Sequence, residues 1–203
     1  MSSKNRYGKF KKKDFVYILK SVRKFLCEKF GYRTKPYLLE TELGKNELMM
    51  FAHHEKAYAV LYDYKQFKNS FGKMSFEAQE AHAAGLMAHE MRHYYQHRQM
   101  LAKHPQESAE TVALWRENEL EPKDVAYGDS LSEYCMQPLE LDAVLYEYVF
   151  AARIFEVLLL SALKDEAHYN AMEQLYISYC GKTDEELFND EIRKHLNERN
   201  NRE

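Results

Sequence analysis

Glycine and proline are scarce in this chain, with seven and four residues in 203. So few chain breakers exclude a sandwich of many short strands and tight turns, and they favour long helices. Cysteine is scarcer still. Cys27, Cys135 and Cys180 are odd in number and show no CxxC spacing, which excludes a disulfide framework and suits a reducing compartment. Long apolar runs are also missing. After the basic start only Val16 to Leu19 are cleanly apolar, too short for the core of a secretory signal. The most apolar later stretch, Val144 to Leu163, is interrupted by Glu147, Arg153 and Glu156, charges that a membrane span does not carry without partners. The expectation is a cytoplasmic protein with no membrane contact.

What is present is ordinary for a globular chain: 45% hydrophobic and 30% charged residues, at a length that suits one domain, residues 1–203, with a sizeable core. The net charge of −3 conceals an asymmetry. Residues 1–35 hold twelve Lys/Arg against two Asp/Glu, a balance of +10, which leaves −13 for the rest. Residues 1–13, with Lys9, Lys11, Lys12 and Lys13, read as a basic N-terminal segment without an apolar pattern. Such a segment is usually a solvated terminus, and it offers a weak contact to nucleic acid or another acidic partner.

The pattern along the chain is α+β and helix-rich, with a small antiparallel sheet before a helical C-terminal half. Asp14 is placed to cap a helix running to about Phe30, with Phe15, Ile18, Leu19, Val22, Phe25 and Leu26 at helical spacing and Gly31 as the stop. From Tyr37 to Phe67 the texture is β-type. The runs Leu38–Leu39, Leu48–Ala52 and Ala57–Tyr62 predict two or three antiparallel strands with tight connections. Ser75 then precedes a helical pattern lasting to about Lys103, with Glu77 in its first turn and His104-Pro105 as the end. A shorter helix spans about Ser108 to Glu119, and Leu120 to Gln137 reads as a loop. Pro138 opens another helix to about Leu163. Two more helices are expected over Glu166–Tyr179 and Asp184–Asn197.

The chemistry concentrates in Ala88-His89-Glu90-Met91-Arg92-His93-Tyr94, which contains HExxH. Histidines four apart lie one turn apart on one helix face, so both imidazoles reach one cation. Glu90 is turned about 100° from His89 around the helix, beside a Zn²⁺ rather than on it. From there it can take a proton from a water that the metal acidifies. The flanks carry Ala81, Ala84, Ala88, Met87, Met91 and Tyr94, so the helix is a core helix whose polar stripe lines a cavity. The competing reading is a buried helix with merely hydrogen-bonded histidines. His82 and His97 share the general direction of the stripe and read as non-ligands.

A third ligand is required for an open zinc site. Glu140, in Gln137-Pro138-Leu139-Glu140-Leu141-Asp142-Ala143, is the first candidate, because it sits on a rigid helix start and Ala143 permits close approach to the metal helix. Asp142, Glu133 and Glu147 are its rivals. An oxyanion donor is expected from Tyr127, Tyr134 or His168, with 16 tyrosines in the chain and none distinguished by its position.

These motifs resemble a minimal gluzincin, in which HExxH on one helix is completed by a Glu from a later helix. More narrowly, the chain looks like the compact zinc peptidases encoded by phages and other mobile elements. Those carry an amphipathic or basic opening helix and a small sheet before the HExxH helix, then a pattern like E-x-x-A-x-x-F-A. Here that pattern reads Glu140, Ala143 and then Tyr146 in place of Phe. The resemblance covers about Tyr37 to Phe155. It implies His89, His93 and Glu140 as zinc ligands, Glu90 as general base, and a protein or peptide substrate. Two departures stand out: the 47 positions from His93 to Glu140, and Val144 where these families often carry a polar residue. A metal-binding regulatory protein that keeps the fold without catalysis is the alternative, and a nucleic-acid-binding module built on the basic N-terminus is a third reading.

Overall fold

In the computed structural model the described residues are 9–45, 47–55, 57–120, 134 and 137–155. The expected helices over Glu166–Tyr179 and Asp184–Asn197, most of the Leu120–Gln137 segment and the stretch up to Leu163 lie outside them. The elements in order are α1 (Lys12–Lys29), β1 (Tyr37–Glu40), β2 (Met49–His54), β3 (Ala57–Tyr62), α2 (Tyr64–Phe71), α3 (Phe76–Leu101), α4 (Ala109–Leu120) and α5 (Pro138–Phe155). This is the expected α+β layout, a small sheet followed by helices.

Helix α1 starts two residues before Asp14, which acts from inside its first turn. The Asp14 carboxylate accepts the Lys11 N–H at 2.8 Å, satisfying one of the donors that a helix start leaves open. The other end is closed by Gly31 at φ +72°. The N–H of Tyr32 reaches the carbonyl of Cys27 at 2.8 Å and that of Gly31 reaches Glu28 at 3.1 Å, the paired bonds of a left-handed helix stop.

The basic N-terminal segment is not wholly without anchorage. Phe10 is 2% exposed and its ring packs 5.2 Å from Phe76 and 5.9 Å from Phe67. Nothing before Phe15 shows helical periodicity, so this anchor is invisible to a pattern that counts repeats. Phe10→Leu should cost about 1–2 kcal/mol, read as a lower urea midpoint at unchanged slope. An unchanged midpoint would show that the Phe10 contact is dispensable.

The sheet has the order β1-β3-β2. The antiparallel pair is β2–β3, in register from Met49↔Tyr62 to His54↔Ala57. Its two-residue connection places Glu55 at φ +51°, as tight hairpins require. Strand β1 joins the far side of β3 in parallel, Tyr37↔Ala59 to Glu40↔Tyr62, so the sheet is mixed. The segment 41–48 carries the chain past the position of β3, which leaves β2 as the edge strand beside α3. Helix α2, within and just past the β-textured stretch, was not anticipated. Its start is set by Asp63, whose carboxylate accepts the Gln66 N–H at 3.0 Å.

Helix α3 is the centre of the molecule. Ser75 caps it, accepting the Ala78 N–H at 3.2 Å. Ala81, Ala84, Met87, Ala88, Met91 and Tyr94 are fully buried along it. Helix α1 packs on one side, α5 on another, and β2 runs along a third. Over its middle turns a helix enclosed in this way has little solvent contact, so its buried polar side chains must find partners inside. No described helix is long and apolar enough to cross a membrane.

Candidate metal centre

Two helices build the centre. Helix α3 contributes His89 and His93 one turn apart, and α5 contributes Glu140 from its first turn. The start of α5 is held from both sides. Asn118 at the end of α4 accepts the Leu139 N–H at 3.0 Å and donates to Gln137 Oε1 at 3.1 Å, while Gln96 of α3 donates to the Leu139 carbonyl at 2.9 Å. Ala143, one turn on, is fully buried, so the helices approach closely there, as its small side chain allows.

The three donors converge. His89 Nε2 lies 3.1 Å from His93 Nε2, His93 Nε2 lies 3.4 Å from Glu140 Oε1, and His89 Nε2 lies 3.5 Å from Glu140 Oε2. A tetrahedral cation with bonds of about 2.0–2.1 Å needs donors about 3.3–3.4 Å apart, and all three separations fall near that value. Two imidazole nitrogens face to face repel unless a proton or a cation lies between them. The donor set, two imidazoles and a carboxylate, suits zinc and neighbouring transition metals. These residues therefore fit a divalent cation.

The outer nitrogens explain why the rings point inward. His93 Nδ1 is 2.8 Å from Gln96 Oε1, so Nδ1 carries the proton and Nε2 is the nitrogen offered to a cation. Gln96 is fully buried and its amide donates to Asp142 Oδ2 at 2.7 Å. Asp142 in turn takes Arg92 Nε at 2.7 Å and Nη2 at 3.1 Å. His89 Nδ1 is buried with Glu147 Oε2 3.3 Å away, though not aligned as a hydrogen bond. Of the rivals for the third position, Asp142 is thus engaged with Arg92 and Gln96, Glu147 sits behind His89 on its outer nitrogen, and Glu133 lies outside the described residues.

Charge follows from this packing. Burial alone favours neutral imidazole at His89, but Glu140 and Glu147 outweigh it and hold the proton well above the usual histidine range. His93 is raised in the same way, with Glu140 overcoming burial. Burial also works against the Glu140 carboxylate, yet the two histidines hold its pKa below the ordinary range. A cation held by these three donors would compete with the protons that the carboxylates favour on the histidines.

Glu90 is 6% exposed and lines the same cavity, of about 560 Å³, bounded by β2, α3 and α5. Its Oε2 accepts the Phe51 N–H of edge strand β2 at 2.6 Å. Burial raises its pKa above the usual carboxylate value, against the opposing pull of His89 and His93. Tyr134 is on the cavity wall, while Tyr127 and His168 lie outside the described residues.

Some functional residues escaped the sequence reading. Gln96, three residues after His93, was open to discovery by its helical spacing alone. Asn118 and Arg92 carried no such signal. His97, read as a non-ligand, belongs to a second cluster with His53 and Glu119, whose donor atoms all lie within 4.8 Å of one another. His82 stacks on Phe71 with ring centroids 4.2 Å apart, and its pKa is lowered by burial. Two His/His/Glu clusters able to chelate a divalent cation are therefore present among the described residues. The chain matches no family model, no curated protein and no solved structure.

Proposed function

We propose that the protein is a zinc-dependent metallopeptidase in which His89, His93 and Glu140 hold the metal and Glu90 is the general base. The observation that carries the reading is the convergence of the two Nε2 atoms and the Glu140 carboxylate at 3.1–3.5 Å, next to a buried Glu90 in a cavity large enough for a peptide segment. A Zn²⁺ bound there supplies Lewis acidity, acidifying a water and polarising a carbonyl.

The protein's own groups do the rest. Glu90 Oε2 is anchored by the Phe51 N–H, which fixes the carboxylate while its other oxygen takes the water's proton. The water oxygen bonds to the scissile carbonyl carbon, the C–N bond breaks, and Glu90 passes the proton to the leaving amine nitrogen. A raised pKa suits this return step, because the protonated form must persist until the amine leaves. The outer edge of β2 on either side of Phe51 orients an extended peptide by main-chain pairing, and Tyr134, on the cavity wall, is the candidate for donating to the oxyanion.

A second reading has its own observation. The Glu90–Phe51 bond occupies part of the strand edge that a substrate would use, as expected of a metal-binding regulatory protein that keeps the fold without turnover. One experiment separates the two. The zinc-loaded chain is incubated with an unfolded protein and a mixed peptide library, and cleavage is read by mass spectrometry. Cleavage by the wild type, lost in Glu90→Gln with zinc content unchanged, is the expected result. Zinc bound with no cleavage of any peptide would favour the regulatory reading.

A further inference from the structure

We infer that His53, His97 and Glu119 form a second divalent-cation site on the rim of the same cavity. Three separate elements bring them together: the end of β2, the C-terminal part of α3 and the last turn of α4. His97 Nδ1 lies 3.3 Å from Glu119 Oε1 and His53 Nε2 lies 3.9 Å from the same oxygen. The two imidazole rings are in contact, with centroids 3.9 Å apart and planes tilted by 32°.

The two clusters differ in build. His89, His93 and Glu140 are each about one-sixth exposed or less, and their donors already stand at tetrahedral spacing. At the rim, His97 is enclosed at 9%, whereas the side chains of His53 and Glu119 are 42% and 40% exposed. One enclosed ligand and two solvent-exposed ones describe a weaker site, because holding exposed side chains in one geometry costs entropy. The donor set of two nitrogens and one carboxylate again selects a transition cation over Mg²⁺ or Ca²⁺. His97 follows His93 by four residues, so the two positions are about one helical turn, ~6 Å, apart along α3. A cation at the rim ties the tip of β2 to the end of α4. The inference does not depend on peptidase activity, since it needs only these three side chains.

The test uses the full chain and Zn²⁺ as the only probe, followed by titration calorimetry and by the melting temperature as zinc is added. The wild type should bind a tight and a weaker equivalent, with a further rise in melting temperature as the weaker one fills. His53→Ala and Glu119→Gln, both at half-exposed positions that do not carry the core, should lose the weaker equivalent and keep the tight one. His93→Ala should do the opposite. Retention of the weaker equivalent in both His53→Ala and Glu119→Gln would overturn the site, as would the absence of any zinc binding sensitive to either change.

Discussion

Glu140→Ala is expected to lower zinc affinity by about two orders of magnitude or more, while the far-ultraviolet helical signal stays close to that of the wild type. Loss of an outer-sphere partner alone costs about 10–100-fold, and a direct ligand that also neutralises charge should exceed that. The fold should survive, because the start of α5 is held by Asn118 and Gln96 rather than by Glu140. Removing the carboxylate also relieves a burial cost, since Glu140 is desolvated and stays ionised only through the two histidines. Competition against a chromophoric chelator measures the affinity directly. Asp142→Asn and Glu147→Gln supply the comparison: Asp142 acts through Gln96 and Glu147 faces the outer nitrogen of His89, neither at the converging atoms, so each should fall in the range of about 10–100-fold. Tight zinc in Glu140→Ala together with its loss in Asp142→Asn would reverse the assignment.

Arg92→Ala is expected to be the most destabilising single change, at about 3–5 kcal/mol. Arg92 is 7% exposed. It grips Asp142 through two bonds and Glu107 at 3.3 Å, and it lies over the rings of Tyr95, Tyr146 and Trp115 at 4.6, 5.2 and 5.5 Å. Truncation leaves the largely enclosed Asp142 carboxylate, 18% exposed, without its cation and opens a gap among three aromatic rings. For a chain of this size the loss corresponds to a melting temperature lower by roughly 6–20 °C. The paired change Arg92→Met with Asp142→Leu removes both charges and should recover much of the stability, because a matched apolar pair costs less than one orphaned ion. It should not recover zinc affinity, since Gln96 would lose the acceptor that aligns its amide with His93. Stability and affinity that moved together through both variants would contradict this division of roles.

Local chemistry determined a good deal of this molecule. The i, i+4 spacing of His89 and His93, the Ser75 cap, the Gly31 stop and the β2–β3 hairpin depend on a few neighbouring residues, and short-range geometry places them whatever else the chain does. Ala143 as the point of close helix approach was legible for the same reason. The choice among acidic residues was not. Glu140 and Asp142 are two positions apart, about 200° around one helix, and only the angle and register of α5 against α3 turn one toward the histidines and the other toward Arg92. Tertiary packing likewise decided that β1 runs parallel to β3, that Phe10 enters the core, and that His97 meets His53 and Glu119 from two distant elements. Each of those outcomes is a contact across a long stretch of chain, made by surfaces that fit once the helices have closed around α3, and no periodicity or pairwise spacing in the sequence encodes it.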